Sequence, residues 1–82
     1  MNIKPLKPKL LKYITKHGLT KKLSKQIQLF EKNPNHTSLN TEKLEPKNLK
    51  LYSFRVDRKY RAIFHMISST EAEIIDINDH YQ

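Results

Sequence analysis

Two arginines in the C-terminal half have the type and spacing best suited to chemistry. Arg55 and Arg61 flank residues 57–59, a predicted turn between two strands. If the turn pairs them across the hairpin, both guanidinium groups lie on one face and repel each other unless an anion lies between them. The guanidinium fork matches the oxygens of a phosphate, so the pair predicts phosphate binding. The alternative is that the arginines pair with Asp76 or Glu73 on a neighbouring strand.

A histidine and a tyrosine, His80 and Tyr81, stand at the end of the last predicted strand. Histidine can give or take a proton near neutral pH, so His80 is a candidate acid or base. A single histidine is weak evidence, because a structural or incidental role explains it as well. The histidines at positions 17, 36 and 65 lack metal-ligand spacing and the chain has no cysteine, so no metal site is predicted.

The strands that would carry these residues are predicted from side chains that alternate with a period of two. Three segments are rich in β-branched and aromatic residues: Leu49–Asp57, Tyr60–Ile67 and Ala72–Asn78. Pairing Arg55 with Arg61 places one set of apolar side chains on the opposite face, namely Tyr52, Phe54, Val56, Ala62 and Phe64. A slip of one residue would break that arrangement, so the hydrophobic pattern favours this register.

Two amphipathic helices are predicted before the strands. Leu6, Leu10 and Ile14 recur at helical spacing, with Pro8 in the first turn and Gly18 at the C-terminal end. A second pattern starts near Thr20 and stops at Asn33-Pro34, because the residue before a proline avoids the helical region. Residues 34–48 show no period and predict an ordered loop, while Ile3 is a candidate for a short first strand. Helices followed by strands predict an α+β fold, with a helical hairpin packed on a small antiparallel sheet.

Positive charge is concentrated in the N-terminal third. The chain has a net charge of +8, and residues 1–30 contain eight lysines and no acidic residue. This asymmetry suits a polyanion or an acidic partner, and nucleic acid is favoured because the arginines add to it. The alternative is a solvated lysine surface that only keeps the protein soluble.

The size and composition of the chain limit the classes of function that it can have. Its 82 residues predict one domain over 1–82, too small for a deep cofactor cavity. The absence of cysteine excludes disulfides and thiolate metal sites and is typical of a reducing compartment. No apolar stretch is long enough to span a membrane and no secretory signal is evident, so a cytoplasmic location is expected.

The hairpin and the C-terminus resemble the RelE/ParE superfamily of bacterial toxins. The run from Tyr52 to Phe64 is similar to the family's central hairpin, in which an Arg-aliphatic-acidic strand end precedes a Tyr/His-Arg-aliphatic strand. The segment Ile75–Tyr81 resembles the C-terminal His-Tyr of the YoeB-like branch. The loop Asn33–Leu39, followed by Glu42-Lys43-Leu44, resembles the family's connection between its second helix and the sheet. The order β-α-α-β-β-β is the one this resemblance implies.

The resemblance implies a toxin that cleaves messenger RNA on the ribosome without metal or cofactor, and an antitoxin protein as its partner. Matched by position, the residues implied to be catalytic are Glu42 as base, Arg61 as stabiliser of the phosphate charge, His80 as acid, and Tyr81. The loop alignment also allows Glu45 as the base. The predicted RNA-binding residues are Arg55, Arg58, Lys59, Lys21, Lys22 and Lys25. The alternative function is a binding-only protein, directed at gyrase or held inactive by an antitoxin.

Overall fold

Helices precede most of the strands in the computed structural model, which describes residues 1–79. The elements in chain order are β1 (Asn2–Ile3), α1 (Pro8–Lys16), α2 (Thr20–Lys32), β2 (Glu42–Lys43), β3 (Tyr52–Arg55), β4 (Arg61–Met66) and β5 (Glu71–Asn78). The predicted α+β fold with a helical hairpin is therefore confirmed. Within residues 1–79, no helix is both long and apolar enough to cross a membrane.

The two helices are joined by a tight turn at Gly18. The Gly18 backbone has a φ of 66°, in the left-handed region that glycine enters without steric cost. The Gly18 N–H donates to the Thr15 carbonyl, and the Leu19 N–H donates to the Ile14 carbonyl at 2.8 Å. This pair of hydrogen bonds is a Schellman motif, which satisfies the last carbonyls of α1 and reverses the chain into α2.

The five strands form one sheet in the order β1-β5-β4-β3-β2, and all neighbours are antiparallel except β1 and β5. The sheet is thus mixed, and it differs from the predicted antiparallel sheet in two places. β1 lies parallel to β5 at one edge of the sheet, and the helical hairpin then carries the chain to β2 at the opposite edge. β2 lies within the predicted loop, which also contains turns of 3-10 helix at Thr37–Leu39 and Lys47–Leu49. A two-residue strand has no detectable period.

The main core lies between the helices and one face of the sheet. Phe30 of α2 stacks on Phe54 of β3 at 5.5 Å between ring centroids and packs edge-on against Phe64 of β4 at 5.0 Å. All five apolar residues predicted for this face are part of the core or pack against it. Arg55 and Arg61 alternate with these residues along the strands, so they belong to the opposite face, which no helix covers.

Two polar side chains of α2 fix this helix against the sheet. The buried Gln26 donates through Nε2 to the carbonyl of Arg55 at 2.8 Å and to that of Ser38 at 3.2 Å. A carboxylate oxygen of Glu31 accepts a hydrogen bond from the Ile3 N–H at 3.0 Å. Gln26 thereby positions the end of β3 that carries Arg55.

Asp57 organises the turn between β3 and β4. Its Oδ1 accepts hydrogen bonds from the N–H groups of Lys59 at 2.9 Å and Tyr60 at 2.8 Å, and its Oδ2 lies 3.1 Å from Lys22 Nζ. Burial raises the pKa of Asp57, but the bonds from Tyr60, Lys59 and Lys22 together outweigh it. The pKa in the folded protein is therefore below the ordinary value of 3.8.

We expect Asp57→Asn to destabilise the protein mainly above pH 4. A carboxyl whose pKa is lowered by folding stabilises the fold above its unfolded pKa, and this stabilisation is lost as the pH falls through the folded pKa. Asparagine keeps an oxygen for the turn hydrogen bonds but loses the charge. Urea denaturation at a series of pH values should show a difference in the free energy of unfolding from wild type that shrinks below about pH 4. A difference that is equal at every pH would contradict this role of the charge.

Candidate functional site

The helix-free face of the sheet brings the two arginines together in the predicted register. Arg55 of β3 is the cross-strand partner of Arg61 of β4, and Arg61 is in turn paired with Asn78 of β5. Directly opposed residues of antiparallel strands have their side chains on one face, close to one another. The predicted juxtaposition of the arginines is thus confirmed.

Glu42 lies in the neighbouring row on the same face. Strand β2 pairs Glu42 with Ser53 of β3, and β3 pairs Ser53 with Ile63 of β4. Glu42 is exposed, and its negative charge acts on the guanidinium of Arg61. Glu45 lies beyond the end of β2, in the turn before Pro46. Of the two glutamates considered from the sequence, Glu42 is the one in register with the arginine face.

The Arg61 side chain is buried and held by three hydrogen bonds. Only 4% of the residue is exposed. Its Nε donates to the Ser53 hydroxyl at 2.9 Å, and its Nη2 donates to the carbonyl of Ser53 at 3.3 Å and to that of Asn40. Asn40 has a φ of 44° and caps the 3-10 turn before β2. Asparagine tolerates this left-handed conformation better than most residues. The guanidinium plane is therefore oriented by β3, through Ser53, and by the loop before β2, through Asn40.

The pKa of Arg61 is changed in opposite directions by its surroundings. Burial lowers the pKa of the Arg61 guanidinium, the negative charge of Glu42 raises it, and the positive charge of Arg55 lowers it further. The net pKa is lower than usual, yet arginine remains charged at any physiological pH. A positive charge beside a second arginine and a single carboxylate is well suited to bind an anion.

The carboxylates proposed as alternative partners of the arginines are engaged elsewhere. Glu73 accepts a hydrogen bond from His65 Nε2 at 3.1 Å and lies 3.9 Å from Lys7 Nζ. Asp76 accepts from the Ile77 N–H at 2.9 Å and from the Asn78 amide at 2.7 Å. Among residues 1–79, neither carboxylate forms an ion pair with the arginines.

His80 and Tyr81 lie outside the described residues, so their predicted roles stay predictions. β5 ends at Asn78, the cross-strand partner of Arg61, and Asp79 comes next. The last strand therefore ends beside the row of the arginines.

The predicted RNA-binding residues fall into three structural groups. Lys25, Arg55 and Arg58 are exposed and line a groove between α2 and the β3–β4 turn. Lys22 also lines this groove, but it is paired with Asp57. Lys21 is exposed on α2 outside the groove. Lys59 lies over the ring of Tyr60, with Nζ 5.5 Å from the centroid, and 3.9 Å from Asp79 Oδ2.

Sequence reasoning missed Ser53 and Asn40, the residues that hold Arg61. The signal for Ser53 was present: it is a small polar residue two positions before Arg55, and the predicted register places it diagonal to Arg61. Asn40 had no such signal, because its contribution is a backbone carbonyl in a loop of no period. In the part of the chain that is described, no three His, Asp or Glu side chains cluster as a metal site would require.

Solved structures of bacterial toxins have the same fold. A YoeB/ParE toxin from Agrobacterium tumefaciens superimposes with a TM-score of 0.73 at 16% identity, covering 99% of this chain and all of that one. Chains from two structures of YoeB–YefM complexes from Staphylococcus aureus superimpose with TM-scores of 0.69 and 0.64, at 19% and 20% identity. They cover 98% and 99% of this chain, and 94% and 98% of their own. No family model and no curated protein matches the sequence. The predicted resemblance to the RelE/ParE superfamily is thus confirmed for the fold.

Proposed function

We propose that this protein is a RelE/ParE-type toxin of the YoeB-like branch that cleaves messenger RNA on the ribosome. The reaction is a metal-free transfer of the phosphoryl group to an internal nucleophile. The ribose 2′-oxygen attacks the adjacent phosphorus, the bond from phosphorus to the 5′-oxygen breaks, and one proton moves from the former oxygen to the latter. The products are a 2′,3′-cyclic phosphate and a 5′-hydroxyl.

The observation that carries this proposal is the placement of Glu42, Arg61 and the end of β5 on one helix-free face. The charges of Glu42 and Arg55 both act on Arg61, and Asn78 is its cross-strand partner. A base, a fixed cation and an acid carried by the residues after Asn78 are the three groups that this transfer requires. The shared fold with YoeB toxins supports the same assignment.

Each group has a separate role in the proposed reaction. Glu42 takes the proton of the 2′-hydroxyl, and His80 protonates the leaving 5′-oxygen. Arg61 stabilises the charge that grows on the phosphate, and its fixed orientation reduces the reorganisation needed in the transition state. Tyr81 stacks on a base or orients the phosphate, while Arg55 and the other predicted RNA-binding residues hold the backbone.

The proposal implies a protein antitoxin as partner and places the toxin in the cytoplasm, where ribosomes are. Two of the superimposed structures are toxin–antitoxin complexes of YoeB with YefM. The excess of lysine and arginine makes an acidic or polyanionic partner suitable for this chain as well.

A binding-only toxin is the second candidate, and the burial of Arg61 favours it. An arginine that is 4% exposed and bound to Ser53 and Asn40 has an evident structural role. In this alternative the fold serves to bind a target such as gyrase, or is held inactive by an antitoxin, and the arginine face stabilises the sheet.

Primer extension on ribosome-bound message distinguishes the two candidates. We expect wild-type protein to produce discrete cleavage sites within translated message, with 5′-hydroxyl ends. Message without ribosomes is the control and should be cleaved far less. A protein that arrests growth yet leaves ribosome-bound message intact would refute the nuclease and support the binding-only toxin.

A further inference from the structure

A small apolar pocket, here called the anchor pocket, lies between the C-terminal end of α2 and the sheet. Its volume is about 160 Å³, and its walls include Met1, Phe30, Tyr52, Phe64 and Met66. The ring of Phe64 stacks on Tyr52 at 5.6 Å between centroids and packs edge-on against Phe30, so the aromatic walls are held in place. An apolar cavity of about 150 Å³ accepts a molecule of benzene. The anchor pocket therefore has the size of one phenyl ring or one large aliphatic side chain.

The anchor pocket lies away from the arginine face. Tyr52 and Phe64 belong to the helix-covered face of the sheet, which is opposite to the face of Arg55 and Arg61. Tyr52 is the first residue of β3 and Arg55 is the last, so they are about 10 Å apart along the strand. On β4 the pocket is lined by Phe64 and Met66, whereas Arg61 begins the strand. A molecule in the anchor pocket thus has no need to touch the candidate catalytic groups.

The chemistry of the lining favours an apolar side chain over a nucleobase or a metabolite. The hydroxyl of Thr41 in the lining already donates to the carbonyl of Pro34 at 3.3 Å. A nucleobase has hydrogen-bonding groups along its edge, and burying them without partners is costly. Sites for small molecules usually measure roughly 300–1,000 Å³, which is larger than this pocket. One side chain of a protein partner meets both limits.

Two lysines beside the anchor pocket make its surroundings positive. Lys43 Nζ lies 5.9 Å from the centre of the Tyr52 ring, and Lys32 ends α2 close in sequence to Pro34 of the lining. Both lysines are exposed and neither forms an ion pair within residues 1–79. No acidic residue of that range lines the pocket. Since the whole chain has a charge of +8, a second copy is repelled and an acidic partner is attracted.

We propose that the anchor pocket binds one aromatic or large aliphatic side chain of the antitoxin, from a segment whose flanking residues are acidic. This inference rests on the proposed function for the kind of partner, but not on catalysis. Side chains that fill apolar pockets contribute most of the binding energy in many protein interfaces. The flexible thioethers of Met1 and Met66 let the walls adapt to the side chain that enters.

The methionines are direct reporters of the anchor pocket, because the chain contains two methionines and both line it. Protein labelled with ¹³C at the methionine methyl groups is titrated with a synthetic peptide that has phenylalanine between two pairs of acidic residues. Both methyl signals should shift and saturate. Matching peptides carry leucine or alanine at the centre. We expect the alanine peptide to bind about tenfold more weakly or worse, because burial of a large apolar side chain has an effect of that size.

Variants of the lining test whether the peptide enters the anchor pocket. Asn35→Trp places an indole at an exposed position of the lining, and Met66→Gln replaces a thioether by an amide. Both should bind the phenylalanine peptide about tenfold more weakly or worse, as read from the Met1 signal, while Asn35→Ala should bind it like wild type. All three should remain folded by circular dichroism. All three should also cleave message at the wild-type rate if the protein is a nuclease, because the pocket is remote from Arg61.

The charge beside the anchor pocket is tested with two further variants. Lys43→Gln should weaken binding of the acidic peptide by about two- to fivefold, the usual effect of an exposed ion pair. Lys47→Gln is the matched control, since Lys47 is exposed and outside the lining, and its affinity should stay closer to that of wild type. A peptide with lysine in place of the acidic residues should bind more weakly than the acidic one. Equal affinity for the two peptides would overturn the acidic character of the partner.

The remaining outcomes are distinct. Methionine signals that stay unchanged, or that respond equally to the phenylalanine and alanine peptides, would overturn the proposal. Signals that depend on protein concentration without peptide would show that a second copy occupies the anchor pocket. A response to a 2′-O-methylated oligonucleotide like that to the peptide would assign the pocket to a nucleobase, and either result refutes the antitoxin site. A protein that binds the peptide in the pocket but never cleaves ribosome-bound message supports this inference and refutes only the nuclease.

Discussion

Arg61→Ala is expected to slow the cleavage of ribosome-bound message by roughly a hundredfold or more. A donor that stabilises charge only in the transition state contributes an effect of this size. Arg61→Lys should recover little, because a point charge cannot reproduce a planar fork that binds Ser53 and Asn40 while facing a phosphate. Cleavage rates by primer extension, with protein in excess over ribosomes, measure both effects.

Stability must be measured beside this rate, because Arg61 is buried. Alanine leaves the acceptors at Ser53 and Asn40 without their donor, at a cost of about 1–3 kcal/mol for each buried group left unpaired. Ser53→Ala is the matched control, since it breaks the 2.9 Å bond to Nε and keeps the charge. We expect Ser53→Ala to lose stability but to cleave much faster than Arg61→Ala. If Arg61→Ala is folded and cleaves at the wild-type rate, Arg61 does not stabilise the transition state and its role is structural.

His80→Gln is expected to lose about a hundred- to ten-thousandfold in cleavage rate, the usual contribution of a positioned general acid. The loss should largely disappear on a substrate in which sulfur replaces the 5′-oxygen at the scissile bond, because a thiolate leaves without a proton. This rescue distinguishes proton donation from a structural role for the histidine. The measurement is single-turnover cleavage of the two substrates by the wild-type and variant proteins.

His17→Gln is the control for the histidine experiment. His17 is exposed at the end of α1, where its Nδ1 lies 3.2 Å from the Tyr60 hydroxyl. Its replacement should leave both substrates cleaved at the wild-type rate. A His80 variant that cleaves the normal substrate as fast as wild type would remove the acid from the mechanism. A slow variant that the sulfur substrate does not rescue would make His80 a positioning residue.

The elements that carry the arginines could be read from local patterns. The alternation of Tyr52, Phe54, Ala62 and Phe64 determined which face of the hairpin meets the helices, because a shift of one residue would reverse every side chain. That constraint places Arg55 opposite Arg61, which is the register that the structure has. The two helices followed equally from their apolar spacing, with Gly18 between them.

The environment of those arginines was decided only by tertiary structure. The burial of Arg61 depends on a hydroxyl from the adjacent strand and on a backbone carbonyl from the loop at Asn40. The pairing of Lys22 with Asp57 spans 35 positions of sequence, so no local pattern could indicate that this lysine has an ion-pair partner. Likewise β1 and β2 have two residues each, which is too short for any period. They form by hydrogen bonding to the edges of the longer strands β5 and β3. Periodicity within a segment determines which face it buries, whereas contacts between distant segments have no local signature and form only when the chain is folded.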